Sequence, residues 1–204
     1  MTDRNIEAIV AGGSPVRAIE GADGHLVERR VRSESVYEGH FLKVRRDEIR
    51  LPNGKTAWRE HVVHPGAVMI VPIADDGLLV IERQYRYPLD RVLLEFPAGK
   101  LDPNETTLHC AQRELREETG LTAGRMTHLT TFQIAYGVMN QKHHLFLAEG
   151  LTLGDTEPDP EEHDLTLHRY SVDDFERMLL DGTIVDNCTA AAWGIYLVWK
   201  RARE

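Results

Sequence analysis

The chain has 204 residues, 42% of them hydrophobic and 28% charged, and a formal net charge of -9 at pH 7. This suits one domain of ordinary size with a smaller appendage and a real core. The negative charge argues against nucleic acid and anionic membrane as main partners, but a local arginine cluster or a metal can still attract a small anionic substrate.

Residues 1 to about 25 are Gly-rich and weakly patterned, which predicts a loose arm. The opening "MTDRNIEAIVAGGSPVR" has no basic region followed by an apolar run, so no signal peptide is expected. From Val36 to Val63, two alternating segments flank Pro52-Asn53-Gly54. Asn-Gly between extended segments is a hairpin signal, so a small antiparallel β unit is expected here. Residues 1–62 are therefore read as arm plus β unit, and 63–204 as the main domain.

The runs "AVMIVPI", "LLVIE" and "VLLEF" follow, the first two separated by Asp75-Asp76-Gly77, and predict strands. A helix is predicted from about Glu105 to Thr119. Further strands are expected at "RMTHLTTFQIA", "HHLFLAEG" and "LTLHRY". A helix starts at Ser171, an N-cap with Asp174 three residues on, and ends near Gly182; the last runs from about Asn187 to Arg201. The pattern is mixed α/β, a central sheet with a few helices and no regular βαβ alternation. Cys110 and Cys188 make neither a disulfide framework nor a zinc motif, and read as neutral thiols in a reducing cytosol. "TAAAWGIYLVWK" is too short to span a bilayer.

The helix at 105–119 concentrates acid. Asn104 can cap it, Gly120 ends it, and Leu108, Ala111 and Leu115 give a buried stripe. Glu114, Glu117 and Glu118 share one face at i, i+3 and i+4. Like charges at that spacing repel, and a helix C-terminus is the wrong end for acids. Arg113 pairs with Glu117 at i, i+4, but one arginine cannot neutralise three acids. A hard divalent cation with oxygen ligands can; a solvated Glu/Arg face is the plain alternative.

The flanking spacing decides between them. Gly99, five residues, Glu105, seven residues, then "RELREETGL" from Arg113 to Leu121 resembles the Nudix box of Nudix hydrolases at every position. The resemblance implies an α/β/α sandwich with a mixed sheet, and Mg²⁺-dependent (or Mn²⁺-dependent) hydrolysis of a nucleoside diphosphate linked to another moiety. It implies metal binding by Glu114, Glu117 and Glu118, with the backbone carbonyl near Ala98 as a further ligand. Arg113 would hold a glutamate, Glu105 would support the loop, and Gly99 would let the backbone turn near the metal. Water is then the nucleophile, activated by metal.

Outside the box, "HPGAVMIVPI", "ERQYRYPLDRVLLEFPAGKLD" and "DGTIVDNCTAAAWGIYL" resemble the ADP-ribose pyrophosphatase and nucleoside-diphosphate-sugar branch. That implies a homodimer whose N-terminal sheets are exchanged or packed across the interface; the thiols and the absence of a signal peptide make a cytoplasmic location the expectation. It makes Arg86 and Arg83 candidates for phosphate contact, since guanidinium forks suit phosphate oxygens; a solvated strand end is the other reading of Arg83. Trp58 is a candidate for stacking on the base, or else a half-buried sheet residue. The acidic loop "DTEPDPEEHDL" offers Glu161, preferred, and Glu162 as catalytic bases.

One departure from the branch stands out. Relatives carry an acid in the stretch matching "FQIAYGVMNQKHHLF"; here none lies between Gln133 and Glu149. This leaves the distal sugar open. The neighbouring His143 and His144, like His61 and His64, lack ligand spacing and read as structural or surface residues. The first reading is a pyrophosphatase of ADP-ribose or a related nucleoside diphosphate sugar. The alternatives are a Nudix hydrolase of another nucleotide (GDP-mannose, a dinucleoside polyphosphate or a coenzyme) and a non-catalytic ADP-ribose sensor, which the intact box acids disfavour.

Overall fold

A computed structural model describes residues 24–154 and 165–204, which divide into two compact units. The first holds the described residues up to His64 together with Gln133–Gln141. Its sheet is antiparallel, in the order β1 (Arg29–Glu38), β2 (Lys43–Arg50), β3 (Thr56–Val62). The predicted hairpin is β2–β3, and Gly54 supplies the left-handed residue of its turn at φ 83°. β1 is an addition to the expected pair. Nearly every residue in it is exposed, so it has no hydrophobic alternation to read. Cross-strand charges hold it instead, Arg32 to Glu48 at 2.7 Å and Glu34 to Arg46. Residues 133–141 join this unit where Val62 N–H donates to the Val138 carbonyl and His64 N–H to Asn140 Oδ1.

The second unit holds the described residues of 65–132 and 142–204. One sheet has the order β7 (Ala98–Lys100), β4 (Ala67–Pro72), β9 (Lys142–Leu153), β8 (Leu121–Gln133). It is mixed, because β4 runs parallel to β9 and antiparallel to β7. A second sheet has β5 (Leu79–Arg86) between β10 (Thr166–Tyr170) and β6 (Arg91–Glu95). All of β4 is buried, as its continuous apolar run suggests. Val68 and Ile70 pack with Phe146 and Ala148 of β9 against Cys110, Ala111 and Leu115 of α1 (Thr107–Thr119). Helices α2 (Val172–Leu180) and α3 (Asn187–Arg201) start after the caps Ser171 and Asp186. Phe175 of α2 stacks on Phe96 and meets Trp193 of α3 edge-on, both at 5.2 Å. Thr189 Oγ1 accepts from the buried Phe96 N–H at 2.9 Å, tying α3 to the end of β6. The architecture is the expected mixed α/β one.

Two details of the acidic helix differ from the expectation. It starts at Thr107, and Thr106, rather than Asn104, caps it by accepting from the His109 N–H at 3.3 Å. Asn104 instead takes the left-handed conformation, φ 66°, in the preceding turn. The buried stripe is Cys110, Ala111 and Leu115, while Leu108 is exposed. Among the described residues, no helix is long and apolar enough to cross a membrane. Both cysteines are buried and free, and burial pushes the Cys188 thiol up to about 12.

Candidate active site

Three successive residues after β6 each meet α1. The Pro97 carbonyl first anchors the backbone by accepting from the Ile70 N–H at 2.9 Å. Ala98 donates its N–H to Glu118 Oε2 at 2.9 Å. A Cβ on Gly99 would lie 1.8 Å from Glu114 Cδ. The Lys100 carbonyl accepts from Arg113 Nη2 at 3.0 Å and from the Cys110 thiol at 3.3 Å. Gly99 is therefore needed for space and not for a turn, since its φ lies outside the left-handed region.

Arg113 organises the acids. Its Nε and Nη2 form a fork on Glu105, both at 2.9 Å, while Nη1 reaches Glu117 at 2.8 Å and Glu114 at 2.9 Å. Glu105 also accepts from the Asp102 N–H at 3.1 Å, which closes the loop before the helix, and meets His109 Nδ1 at 2.8 Å. The Arg113 hydrogen bonds hold the Glu105 carboxyl well below the usual carboxylate range, and the same glutamates raise Arg113. Glu114 and Glu118 are buried, and Glu117 is half-buried. Three glutamates around one arginine, with Glu118 on the Ala98 N–H beside them, leave an excess of acid.

This donor set fits a hard divalent cation. It is all carboxylate and carbonyl oxygen, and the glycine leaves the Glu114 carboxylate lying against the strand backbone. Among the described residues no three His, Cys, Asp or Glu side chains close into a cage. Mg²⁺ does not require such a cage, because it keeps waters and substrate oxygens beside one or two carboxylates.

The chain matches the NUDIX domain model over residues 63–187, and the nucleoside diphosphate sugar hydrolase N-terminal domain model over residues 28–62. The chain belongs to the Nudix family. It is 34% identical over 180 residues to an ADP-ribose pyrophosphatase of Bacillus subtilis, covering 88% of this chain and 97% of that protein. It is 38% identical over 163 residues to an ADP-ribose pyrophosphatase of Mycobacterium tuberculosis, covering 79% of each. A crystal structure of an ADP compounds hydrolase superposes with a TM-score of 0.77 at 26% identity, covering 86% of this chain and 95% of that one. Nudix hydrolases generally use a divalent metal.

The other sequence candidates lie in different surroundings. Alternation along β5 separates Arg86 from Arg83 in burial: Arg83 is exposed, and its guanidinium makes no hydrogen bond or ion pair to any described residue, whereas Arg86 is half-buried. Arg86 forks onto Glu95 of β6, Nε at 2.9 Å and Nη2 at 2.5 Å. Glu95, and more weakly Glu82 and Glu118, raise its pKa. Trp58 lies on β3 of the N-terminal unit, 45% exposed, with the guanidinium groups of Arg32 and Arg46 at 4.9 and 5.2 Å from its ring centroid. Glu161 and Glu162 lie outside the described residues. In the stretch lacking an acid, the chain folds back on Ala135, whose carbonyl accepts from the Val138 and Met139 N–H groups. His143 is buried against Phe132, and His144 Nδ1 meets Thr131 Oγ1 at 2.8 Å.

Sequence reasoning passed over Glu95, Arg32 and Arg46. The signal for Glu95 was its register: Glu82 pairs with Glu95 across the hairpin, placing Arg86 and Glu95 on one face. Reading that requires the turn length, which the 3-10 turn at Tyr87–Leu89 and the left-handed Asp90 set.

Proposed function

We propose that this chain hydrolyses the pyrophosphate of ADP-ribose, or of a closely related nucleoside diphosphate sugar, to a nucleoside monophosphate and a sugar phosphate. The observation that carries the reading is the seating of Glu114 and Glu118 against Gly99 and Ala98. Glu114, Glu117, Glu118 and the Ala98 carbonyl would hold Mg²⁺, with Mn²⁺ as a substitute. A cation held there would supply charge neutralisation for the pyrophosphate and a lowered pKa for a water. Arg113 sets the glutamates in place, and Glu105 sets Arg113. Arg86 and the exposed Arg83 receive phosphate oxygens. Trp58, flanked by two arginines, offers the base a stacking surface. Glu161 is the assigned proton acceptor, with Glu162 as the alternative.

We assign dimerisation to the N-terminal unit. Val31, Val36, Tyr37 and Phe41 are all at least half exposed in and around β1, a strand exposed along most of its length. The protein acts on a small nucleotide in the cytoplasm, not on nucleic acid or at a membrane. The missing acid before Glu149 supports a second reading, a Nudix hydrolase of another nucleotide such as GDP-mannose.

The test is Mg²⁺-dependent AMP release from ADP-ribose beside GDP-mannose and other nucleotide sugars, with Glu118→Gln as control. Preferential AMP release that Glu118→Gln abolishes supports the first reading. Turnover of GDP-mannose alone supports the second. Near wild-type activity in Glu118→Gln overturns the mechanism.

A further inference from the structure

We propose that Glu95 is a positioning residue, and that its task is to present the free edge of the Arg86 guanidinium to a phosphate. The inference rests on the phosphate-binding reading of Arg86. The fork explains it chemically. Arginine has five N–H donors on a planar frame. Glu95 takes the Nε edge and one donor of Nη2, while Nη1 makes no hydrogen bond to any described residue. The end-on pair of donors, Nη1 and the second Nη2 hydrogen, therefore stays available in a fixed plane. That is the geometry in which guanidinium binds phosphate through two parallel hydrogen bonds.

Burial is unequal in a way that suits this role. The Glu95 side chain is 7% exposed and that of Arg86 38%. The carboxylate is fixed inside and the cation reaches outward from it. Glu95 is also placed close to the metal-binding residues. It is followed by Phe96, whose N–H is held by Thr189, and Pro97, whose carbonyl is held by Ile70; Ala98, which binds Glu118, comes next. Any shift of Glu95 would move the guanidinium relative to that backbone. Glu118, one of the acids assigned to the metal, is among the groups that raise Arg86.

The experiment is calorimetric titration of ADP-ribose into metal-free protein in EDTA, for the wild type, Arg86→Ala, Glu95→Gln and the double variant, with thermal melting of each. Glu95→Gln should weaken binding about tenfold, and the double variant should bind no worse than Arg86→Ala alone. Glu95→Asp keeps the charge but retracts it by one methylene, so it should show a similar loss. A merely structural Glu95 would weaken binding further in the Arg86→Ala background, and that result would overturn the proposal. Wild-type binding by Glu95→Gln and Glu95→Asp would overturn it too, while leaving Arg86 a phosphate ligand if Arg86→Ala alone is weakened. Wild-type binding by Arg86→Ala would remove the phosphate assignment itself, and the role of Glu95 with it.

Discussion

Gly99 and Glu114 occupy adjoining space so closely that a single added carbon would sit 1.8 Å from the carboxylate carbon. The carboxylate cannot retreat freely, because Arg113 Nη1 holds it at 2.9 Å and the residue is buried. A methyl group at position 99 must therefore displace either the strand or the glutamate.

Gly99→Ala should cut kcat by about a hundredfold or more, the usual cost of moving a reacting constellation by about an ångström. The Mg²⁺ concentration giving half-maximal activity should rise in parallel, whereas Tm should move only a few degrees. Activity and melting measured across a Mg²⁺ series check this. An alanine variant with wild-type metal dependence would show that Glu114 does not need its observed seat.

Arg113 carries a different burden, because removing it strands acids instead of displacing one. Glu105 and Glu114 have side-chain exposures of only 5% and 8%. Arg113→Ala should destabilise the metal-free protein by roughly 2 kcal/mol, in the range for losing charged hydrogen bonds at partly buried sites. Mg²⁺ should recover part of that loss, since a ligand of the folded state stabilises by mass action. Urea midpoints with and without Mg²⁺ measure both effects. Equal midpoints for variant and wild type without metal would contradict the account.

Much of this was legible in the sequence, and apart from the local details of the α1 start the unreadable parts share a cause. Helix α2 was visible in its cap Ser171, α1 and α3 in their approximate extents though not in their caps Thr106 and Asp186, and β4 in its unbroken apolar run. The acids of α1 were visible from spacing alone, since i, i+3 and i+4 fix a common face. What could not be read depends on partners remote in sequence. β1 is a charged strand whose fit is set by Glu48 and Arg46 on its neighbour. β7 has only three residues, and its pairing to β4 is a backbone matter. The bond between Arg86 and Glu95 follows from a hairpin register, and the role of Gly99 from a helix fifteen positions on.

Glu105 should give the protein an acid-sensitive component of stability. Its folded-state pKa is depressed, chiefly by the Arg113 hydrogen bonds. Its unfolded value is near the ordinary 4.3. A depressed carboxyl contributes fully above the unfolded pKa, and loses that contribution as pH falls towards the folded one. The difference in unfolding free energy between wild type and Glu105→Gln should therefore be constant above about pH 5 and shrink steadily below about 4.3. Urea titrations of metal-free protein at pH 7, 5, 4 and 3 test the sign. A difference that widened on acidification would mean that Glu105 is not held as the charged form.

The start of α1 gives a prediction independent of catalysis. Thr106 Oγ1 accepts from the His109 N–H, so Thr106→Ala should cost about 1 kcal/mol, the typical value for losing an N-cap. Asn104 is not the cap, and its left-handed backbone at φ 66° makes a separate demand. Asn104→Gly should be neutral or slightly stabilising, because glycine adopts that conformation without strain; Asn104→Ala should cost about 1 kcal/mol. Denaturant unfolding of the three variants separates the roles. If Asn104→Gly lost as much as Thr106→Ala, the Asn104 side chain would be contributing to the helix start after all. That outcome would favour the cap expected from the sequence over the one in the structure.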